Sequence, residues 1–225
     1  MNDAPLLTFS RRVRRTPFTS RVLERGARAF TVYNRMLLAT EFESLEADCR
    51  HLCRAVQVWD VGVERQIDLT GPDATRLVQW MTPRAVARVG EDRCVYLPLA
   101  DEEGRLMNDP VGLRLGENHW RLSISDSDAL LWAKGLCRGA RLDARVIEPD
   151  VWPLAVQGPL AEELMARVFG ETVREIRFFR HRPLAFEGHP FIVARSGWSR
   201  QGGFEVYVDD APRGQRLYDA LFAAG

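Results

Sequence analysis

A strand, a Gly-Pro turn and an amphipathic helix occur in the same order at two places in the sequence. The first copy runs from Gln66 to Ala74 and the second from Pro153 to Ala161, each centred on a Gly-Pro pair. Strands and amphipathic helices each have an apolar face that must pack against another element, so two such units predict layered sheets and helices. We therefore predict an α+β fold of the ferredoxin-like, split βαβ kind, used twice.

The length of 225 residues allows one large domain or two small ones. We predict an N-terminal α+β domain with an Arg-rich lead-in over residues 1–150. A second α+β domain, an incomplete ferredoxin-like half, is predicted over residues 151–225. Helical periodicity also predicts a helix over residues 41–56.

The charge balance and the motifs exclude several function classes. The 31 basic and 31 acidic side chains give a formal net charge of zero, which removes the attraction on which nucleic-acid binders depend. No apolar run approaches the ~18 residues that a membrane span needs. We predict a cytoplasmic protein with no nucleic-acid or membrane partner. Lys134 is the only lysine, so most lysine chemistry is excluded, and no GxGxxG, phosphate-loop, HExxH or GxSxG motif is present.

The cysteines do not form a metal-binding pattern. Cys49 and Cys53 flank His51 and lie one helical turn apart. A structural metal site needs three or four converging ligands, and nothing nearby in the sequence completes that set. We predict no metal site, with the thiols buried as small hydrophobic groups.

A polar loop between two apolar strands, Gly104 to Pro110, allows two interpretations. Asn, Asp and Pro are turn formers, so the segment can be an ordinary β-turn. Alternatively, Asp109 is placed to bind or stabilise a cationic or N–H-bearing ligand.

The segment from Arg195 to Val208 is also open to two interpretations. Its glycines would let the backbone approach a flat ligand, with Trp198 offering an aromatic face and Glu205 a bidentate acceptor. Glu205 and Tyr207 are two positions apart on a predicted strand and so share a face. The alternative is an exposed hairpin whose polar face lies in water.

Several segments together resemble the folate-binding aminomethyltransferase family, which includes the T-protein of the glycine cleavage system. In chain order they are Val58-Trp59-Asp60-Val61, Thr70-Gly71-Pro72-Asp73-Ala74, Asn108-Asp109, Arg195-Ser196-Gly197-Trp198-Ser199 and Gly203-Phe204-Glu205-Val206-Tyr207. Two more segments, Arg14–Val22 and Thr31–Leu38, resemble one branch of that family, the tetrahydrofolate-dependent dimethylsulfoniopropionate demethylases.

This resemblance implies a fold, a cofactor and a set of site residues. The fold would be a pair of ferredoxin-like folate-binding domains, with tetrahydrofolate bound between them. Catalytic roles would fall to Asp109 and Tyr207, and folate contacts to Glu205, Asp109 and Trp198. The pocket for a small-molecule methyl donor would be lined by Tyr33, Ser123, Trp198 and Tyr207. Aromatic faces attract a sulfonium by cation–π contact, and a neutral thioether leaves without an acid, so in-line alignment is the main requirement.

The departures from the T-protein pattern favour the demethylase branch. The T-protein has Asp-Asp where this chain has Asn108-Asp109, and Tyr where it has Trp198. Family members are longer and carry a C-terminal β-barrel domain, so we expect this chain to be C-terminally truncated. The predicted reaction is methyl transfer from dimethylsulfoniopropionate or a related donor to N5 of tetrahydrofolate. A glycine cleavage aminomethyltransferase and a non-catalytic folate-binding protein are the alternatives, and a homodimer is left open.

Overall fold

The computed structural model describes residues 10–225 and contains fourteen strands and six α-helices within that range. The strands are β1 (Ala29–Tyr33), β2 (Met36–Glu41), β3 (Gln57–Asp60), β4 (Gln66–Thr70), β5 (Cys94–Tyr96), β6 (Leu99–Ala100), β7 (Leu106–Asn108), β8 (Val111–Gly116), β9 (His119–Ser123), β10 (Arg145–Ile147), β11 (Trp152–Gln157), β12 (His181–Phe186), β13 (His189–Ala194) and β14 (Gly203–Val208). The helices are α1 (Thr19–Glu24), α2 (Leu45–Leu52), α3 (Ala74–Met81), α4 (Ala129–Gly139), α5 (Ala161–Phe169) and α6 (Ala211–Ala224).

Ten of these strands form two five-stranded antiparallel sheets. The first sheet has the order β10-β4-β9-β8-β5, and the second has the order β12-β13-β14-β11-β3. The four remaining strands form the two-stranded ladders β1-β2 and β6-β7. The predicted α+β architecture is confirmed.

The two Gly-Pro copies occupy equivalent positions in the two sheets. In each copy a strand, β4 or β11, ends at a glycine of positive φ, Gly71 at +121° or Gly158 at +124°. A Cβ atom at Gly71 would lie 2.7 Å from the Asp143 carbonyl oxygen, and one at Gly158 would lie 2.3 Å from that of Ala55. Both positions therefore require glycine, since another residue would add a clash to an unfavourable backbone conformation. The helices that follow, α3 and α5, bury one apolar face against their own sheet.

A small apolar cluster joins the two sheets, each of which also has its own larger core. The shared cluster takes Cys94 and Val111 from the first sheet and Ala194 and Tyr207 from the second. Because close-packed side chains hold the sheets together here, polar groups beside this cluster keep fixed positions.

Residues before position 150 contribute to the second sheet. Strand β3 pairs with β11, and Phe18 and Val22 lie in the core beneath that sheet. The division into residues 1–150 and 151–225 stays a prediction.

The predicted helix over residues 41–56 is wrong at both ends, because β2 continues to Glu41 and α2 covers only Leu45–Leu52. Helix α2 buries none of its residues, and Cys49 and Cys53 are exposed, so the prediction of buried thiols is wrong for this pair. Cys94 and Cys137 are buried. Within residues 10–225, none of the helices has the length and apolar content that crossing a membrane requires.

Candidate active site

Glu205 and Tyr207 lie on β14, in the interior of the second sheet. The strand pairs with β11 on one side and β13 on the other, and the two side chains are 4% and 1% exposed. The Ser196 hydroxyl donates a hydrogen bond to Glu205 Oε2, and the Tyr207 hydroxyl donates to the same oxygen over 3.3 Å. The interpretation of this segment as a hairpin with its polar face in water is therefore wrong, because that face is buried against the first sheet.

Burial controls the acidity of both groups. It raises the pKa of Glu205 above its usual range, although the hydrogen bonds from Ser196 and Tyr207 oppose this by stabilising the carboxylate. The pKa of Tyr207 is raised well above 10, mainly by burial and further by the negative charge of Glu205. Tyr207 is therefore a neutral phenol that keeps its proton and donates a hydrogen bond to Glu205.

Asp109 lies between β7 and β8, and both of its oxygens accept hydrogen bonds. Tyr96 donates to Oδ2 and Ser125 donates to Oδ1, each over 3.1 Å. The turn in this region lies earlier, where the Asp101 carboxylate accepts from the backbone N–H groups of Glu103 and Arg105. Asp109 is thus a carboxylate fixed by two donors rather than a turn residue.

Asn108 holds the segment that contains Asp109 by hydrogen bonds to the loop between β9 and α4. Its amide nitrogen donates to the Ser125 carbonyl and the Ser127 hydroxyl, and its amide oxygen accepts from the Ser125 backbone N–H. With its side chain 4% exposed, Asn108 uses both ends of its amide for this packing.

Tyr33 is the last residue of β1, and the tip of the β1-β2 hairpin contacts the loop that also holds Asn108. Asn34 and Arg35, at the hairpin tip, have φ of +49° and +63°, typical of a tight type I′ turn. The Asn34 side chain donates to the Val63 carbonyl over 3.0 Å and accepts from the Ser127 backbone N–H. Tyr33 is half-buried, and its pKa is raised by burial and by the negative charge of Glu64.

Glu64 and Ser123 interact with several of the residues described above. The Ser123 hydroxyl donates to Glu64 Oε2 over 3.1 Å and accepts from Gln66 Nε2 over 2.8 Å. Ser123 also lies close enough to Tyr207 to lower the pKa of that phenol, against the larger effect of burial. The pKa of Glu64 is raised to about 8, first by burial and then by the negative charges of Glu205 and Asp109. Glu64 nevertheless keeps partial contact with solvent.

Trp198 lies at the rim of this group. Its side chain is 60% exposed and makes an edge-on contact with Tyr96, with 5.9 Å between ring centroids. Tyr96 therefore links Trp198 to Asp109. The six residues predicted from the sequence, Tyr33, Asp109, Ser123, Trp198, Glu205 and Tyr207, thus belong to one connected group of contacts and charges where the two sheets meet, and we call this group the cleft.

Sequence reasoning missed Glu64, Tyr96 and Ser125. Glu64 is a single acidic residue between two strands, a pattern that also fits a solvated turn. Tyr96 and Ser125 become significant only through their hydrogen bonds to Asp109, which join residues 13 and 16 positions apart. The Asn108-Asp109 pair was the sequence feature from which polar partners in neighbouring segments could have been expected.

Curated proteins to which this chain is similar include a demethylase and a probable aminomethyltransferase. Over 216 residues the chain is 54% identical to the dimethylsulfoniopropionate demethylase DmdA of Ruegeria pomeroyi, covering 96% of this chain and 59% of that protein. It is 28% identical over 180 residues to a probable aminomethyltransferase of Pyrococcus horikoshii, covering 76% of this chain and 45% of that protein. The chain therefore spans only about half the length of these curated relatives.

A solved structure shares the fold. The glycine cleavage system aminomethyltransferase T from Bartonella henselae matches with a TM-score of 0.82 at 19% identity, over 93% of this chain and 57% of that one. At this identity the likeness establishes the fold alone. Residues 18–225 also match the family model of the GCVT N-terminal domain. The resemblance predicted from the sequence is thereby confirmed, and the chain belongs to the GCVT N-terminal domain family.

Proposed function

We propose that this chain is the folate-binding part of a tetrahydrofolate-dependent demethylase. It would transfer a methyl group from dimethylsulfoniopropionate, or a closely related donor, to N5 of tetrahydrofolate. The observation that carries this proposal is the 54% identity to a dimethylsulfoniopropionate demethylase, which extends over 96% of the chain. The cleft supplies groups that fit each part of the reaction.

Glu205 would hold the pterin ring. Both of its hydrogen bonds are accepted by Oε2. Within residues 10–225, Oε1 accepts no hydrogen bond from the protein and can accept one from a ligand. A pterin presents adjacent N–H groups along one edge, which a carboxylate can accept. Ser196 and Tyr207 then fix the orientation of the carboxylate before the ligand arrives.

Three aromatic rings would hold the sulfonium. Tyr33, Tyr207 and Trp198 lie on different elements around the cleft, and each aromatic face that meets a cation contributes ~0.5–2 kcal/mol. Their role is to align the methyl carbon with N5, because alignment lowers the barrier of an in-line transfer.

Asp109 is the group that can accept a proton. As the N5–carbon bond forms, the thioether sulfur keeps the electron pair of the broken carbon–sulfur bond, and the proton of N5 must leave. Asp109 would take this proton, with Tyr96 and Ser125 holding its carboxylate in place. No acid is needed for the leaving group, since the thioether departs neutral.

Product analysis tests the proposal. The chain is incubated with tetrahydrofolate and dimethylsulfoniopropionate, with the Ruegeria demethylase as positive control, and folates are separated by mass. We expect 5-methyltetrahydrofolate. One-carbon transfer from a lipoylated carrier protein instead would favour the aminomethyltransferase, to which the 28% identical relative points. Folate binding without transfer from either donor would favour a non-catalytic folate-binding protein.

Location and assembly complete the proposal. We place the protein in the cytoplasm, where a small-molecule methyl donor would be its partner and tetrahydrofolate its cofactor, and a homodimer is the assembly that we propose to test. Light scattering of the purified chain gives the mass directly, and a monomer at working concentration would contradict the dimer.

A further inference from the structure

Glu64 occupies a distinctive place in the cleft. It lies between β3 and β4 and is held by the Ser123 hydroxyl. Its negative charge raises the pKa of both Tyr33 and Tyr207. Three of the four residues that the family resemblance places around the methyl donor thus interact with Glu64, Ser123 by a hydrogen bond and the two tyrosines through its charge. None of the roles assigned above uses it.

The groups that face Glu64 leave its charge without a counter-ion. They are the carboxylates Glu205 and Asp109 and the phenols Tyr33 and Tyr207, and none is a cation. The adjacent Arg65 guanidinium binds Glu148 instead. Burial together with two like charges raises the pKa of Glu64 to about 8.

A neighbouring acceptor is also without a partner. Gln66 is 1% exposed, and its amide nitrogen donates to the Ser123 hydroxyl and the Glu64 carbonyl, whereas its Oε1 is buried without a hydrogen-bond partner. Buried acceptors normally have a donor, so this acceptor is available to a group bound next to Glu64. Within residues 10–225, no group of three or more acidic, His or Cys side chains is arranged to hold a metal ion. An organic cation whose polarised C–H groups contact oxygen suits these acceptors better.

We propose that Glu64 is the counter-charge of the sulfonium substrate, a neutral carboxylic acid in the free protein that releases its proton to solvent when the cation binds. The inference rests on the proposed function, since it assumes a sulfonium donor. It assigns Glu64 to donor recognition, separate from the folate contact of Glu205 and the proton acceptor Asp109.

A pH dependence of binding follows. The charge of a sulfonium does not titrate, so any change in its affinity near neutral pH comes from the protein. The affinity should rise with pH up to about 8 and then level off, as Glu64 becomes ionised without help from the ligand. Glu205 and the two phenols also have raised pKa values, so the dependence must be assigned by substituting Glu64 itself.

Calorimetry with a matched pair of ligands tests the assignment. Dimethylsulfoniopropionate and 4-methylpentanoate have the same shape, but a neutral carbon replaces the sulfonium in the second. We expect Glu64→Gln to weaken sulfonium binding at pH 8 by at least about tenfold, and 4-methylpentanoate and tetrahydrofolate binding by less than about threefold. Titration in buffers of different ionisation enthalpy should show proton release at pH 7 that Glu64→Gln abolishes. Glu175→Gln, at an exposed ion pair with Arg182, is the control for charge removal.

A second variant distinguishes the proposed role of Glu64 from a general loss of folding, because it should shift the pH dependence of binding and not abolish binding. Ser123→Ala removes the donor that stabilises ionised Glu64, so it should move the rise in sulfonium affinity to higher pH. Three results with Glu64→Gln would overturn the proposal: an equal loss of affinity for dimethylsulfoniopropionate and 4-methylpentanoate, a loss of tetrahydrofolate affinity, or an unchanged sulfonium affinity. A wild-type chain that does not bind the sulfonium would overturn it as well. Sulfonium binding that depends on Glu64 but yields no methylated folate would refute only the proposed reaction.

Discussion

At the scale of single residues, the cleft contains carboxyl groups whose burial makes their charged form unfavourable in the folded chain. Glu205 and Glu64 both have raised pKa values because desolvation penalises the charged form. Such groups are retained where a ligand needs them, and their cost is visible in the stability of the free protein.

Glu205→Gln should make the folded chain more stable at neutral pH. A carboxyl whose pKa is raised on folding binds its proton more tightly in the native state, so its contribution to stability falls as pH rises above its unfolded value near 4.3. Glutamine lacks this penalty and can still accept from Ser196 and Tyr207. Urea unfolding of both proteins at pH 4 and pH 8 measures the difference. A variant less stable than wild type at pH 8 would contradict this expectation.

Asp109→Asn should lower turnover by about 10²- to 10⁴-fold, the usual contribution of a general base, and change the folate affinity only slightly. The amide can replace one acceptor, but it cannot take the proton from N5. Single-turnover kinetics with labelled donor measure the effect. Tyr96→Phe, which removes one of the two donors to Asp109, serves as the milder comparison. Equal turnover in Asp109→Asn and wild type would exclude Asp109 as the base.

Residue-level prediction from the sequence succeeded where a local pattern exists. The two-residue spacing of Glu205 and Tyr207 on a strand places them on one face, and the structure confirms this. Glu64 and Ser125 could not be predicted in this way, because their significance comes from residues distant in the chain.

At the scale of elements, the loop between β13 and β14 depends on one buried amide. Gln157 is 1% exposed, and its Nε2 donates to the Ser196 and Phe204 carbonyls, while its Oε1 accepts from the Ser199 hydroxyl. A loop anchored at these points carries Trp198 to the rim of the cleft.

Gly197→Ala should destabilise the chain by about 1–3 kcal/mol and lower the donor affinity. Gly197 has φ +132°, and an added Cβ would lie 2.2 Å from Gln157 Nε2, so the loop would lose its anchor. Gly202→Ala is the matched control, because Gly202 also has a positive φ, +81°, with no atom within 4 Å of the added Cβ. Thermal unfolding of the two variants isolates the clash, and equal losses would show that the anchor has no special role.

The Gly-Pro repeat predicted the elements that it contains, since glycine, turn and helix signals are local. Strand β12 was missed because Pro183 interrupts its pattern. β12 lies at the edge of the second sheet, where a proline costs no ladder hydrogen bond on the open side. The predicted helix at 41–56 was too long at both ends, since Glu41 still belongs to β2 and α2 ends at Leu52 although the apolar spacing continues to Val56.

At the scale of the whole molecule, Asp60 ties the N-terminal segment to the second sheet. It lies at the end of β3 and accepts hydrogen bonds from the Thr16 hydroxyl and the Gly62 N–H. Burial raises the pKa of Asp60 to about 6 despite these two donors. The charged form is therefore unfavourable in the folded chain at neutral pH.

Asp60→Asn should remove a pH-dependent loss of stability. The wild-type contribution of Asp60 is greatest below pH 4 and falls as pH rises through 6, which corresponds to about 3 kcal/mol between these limits. Relative to wild type, the variant should gain that amount from pH 4 to pH 7. Urea unfolding across this range checks it, and a constant difference between the two proteins would show that Asp60 does not titrate on unfolding.

The central claim is that the cleft between the two sheets binds tetrahydrofolate through Glu205. Calorimetric titration of the chain with tetrahydrofolate, for wild type and Glu205→Gln at pH 7.5, tests it most directly. We expect saturable one-to-one binding that Glu205→Gln weakens by about 10- to 100-fold, the value of a hydrogen bond to a charged group. Equal affinity in the two proteins, or no binding by the wild-type chain, would contradict a folate site at Glu205.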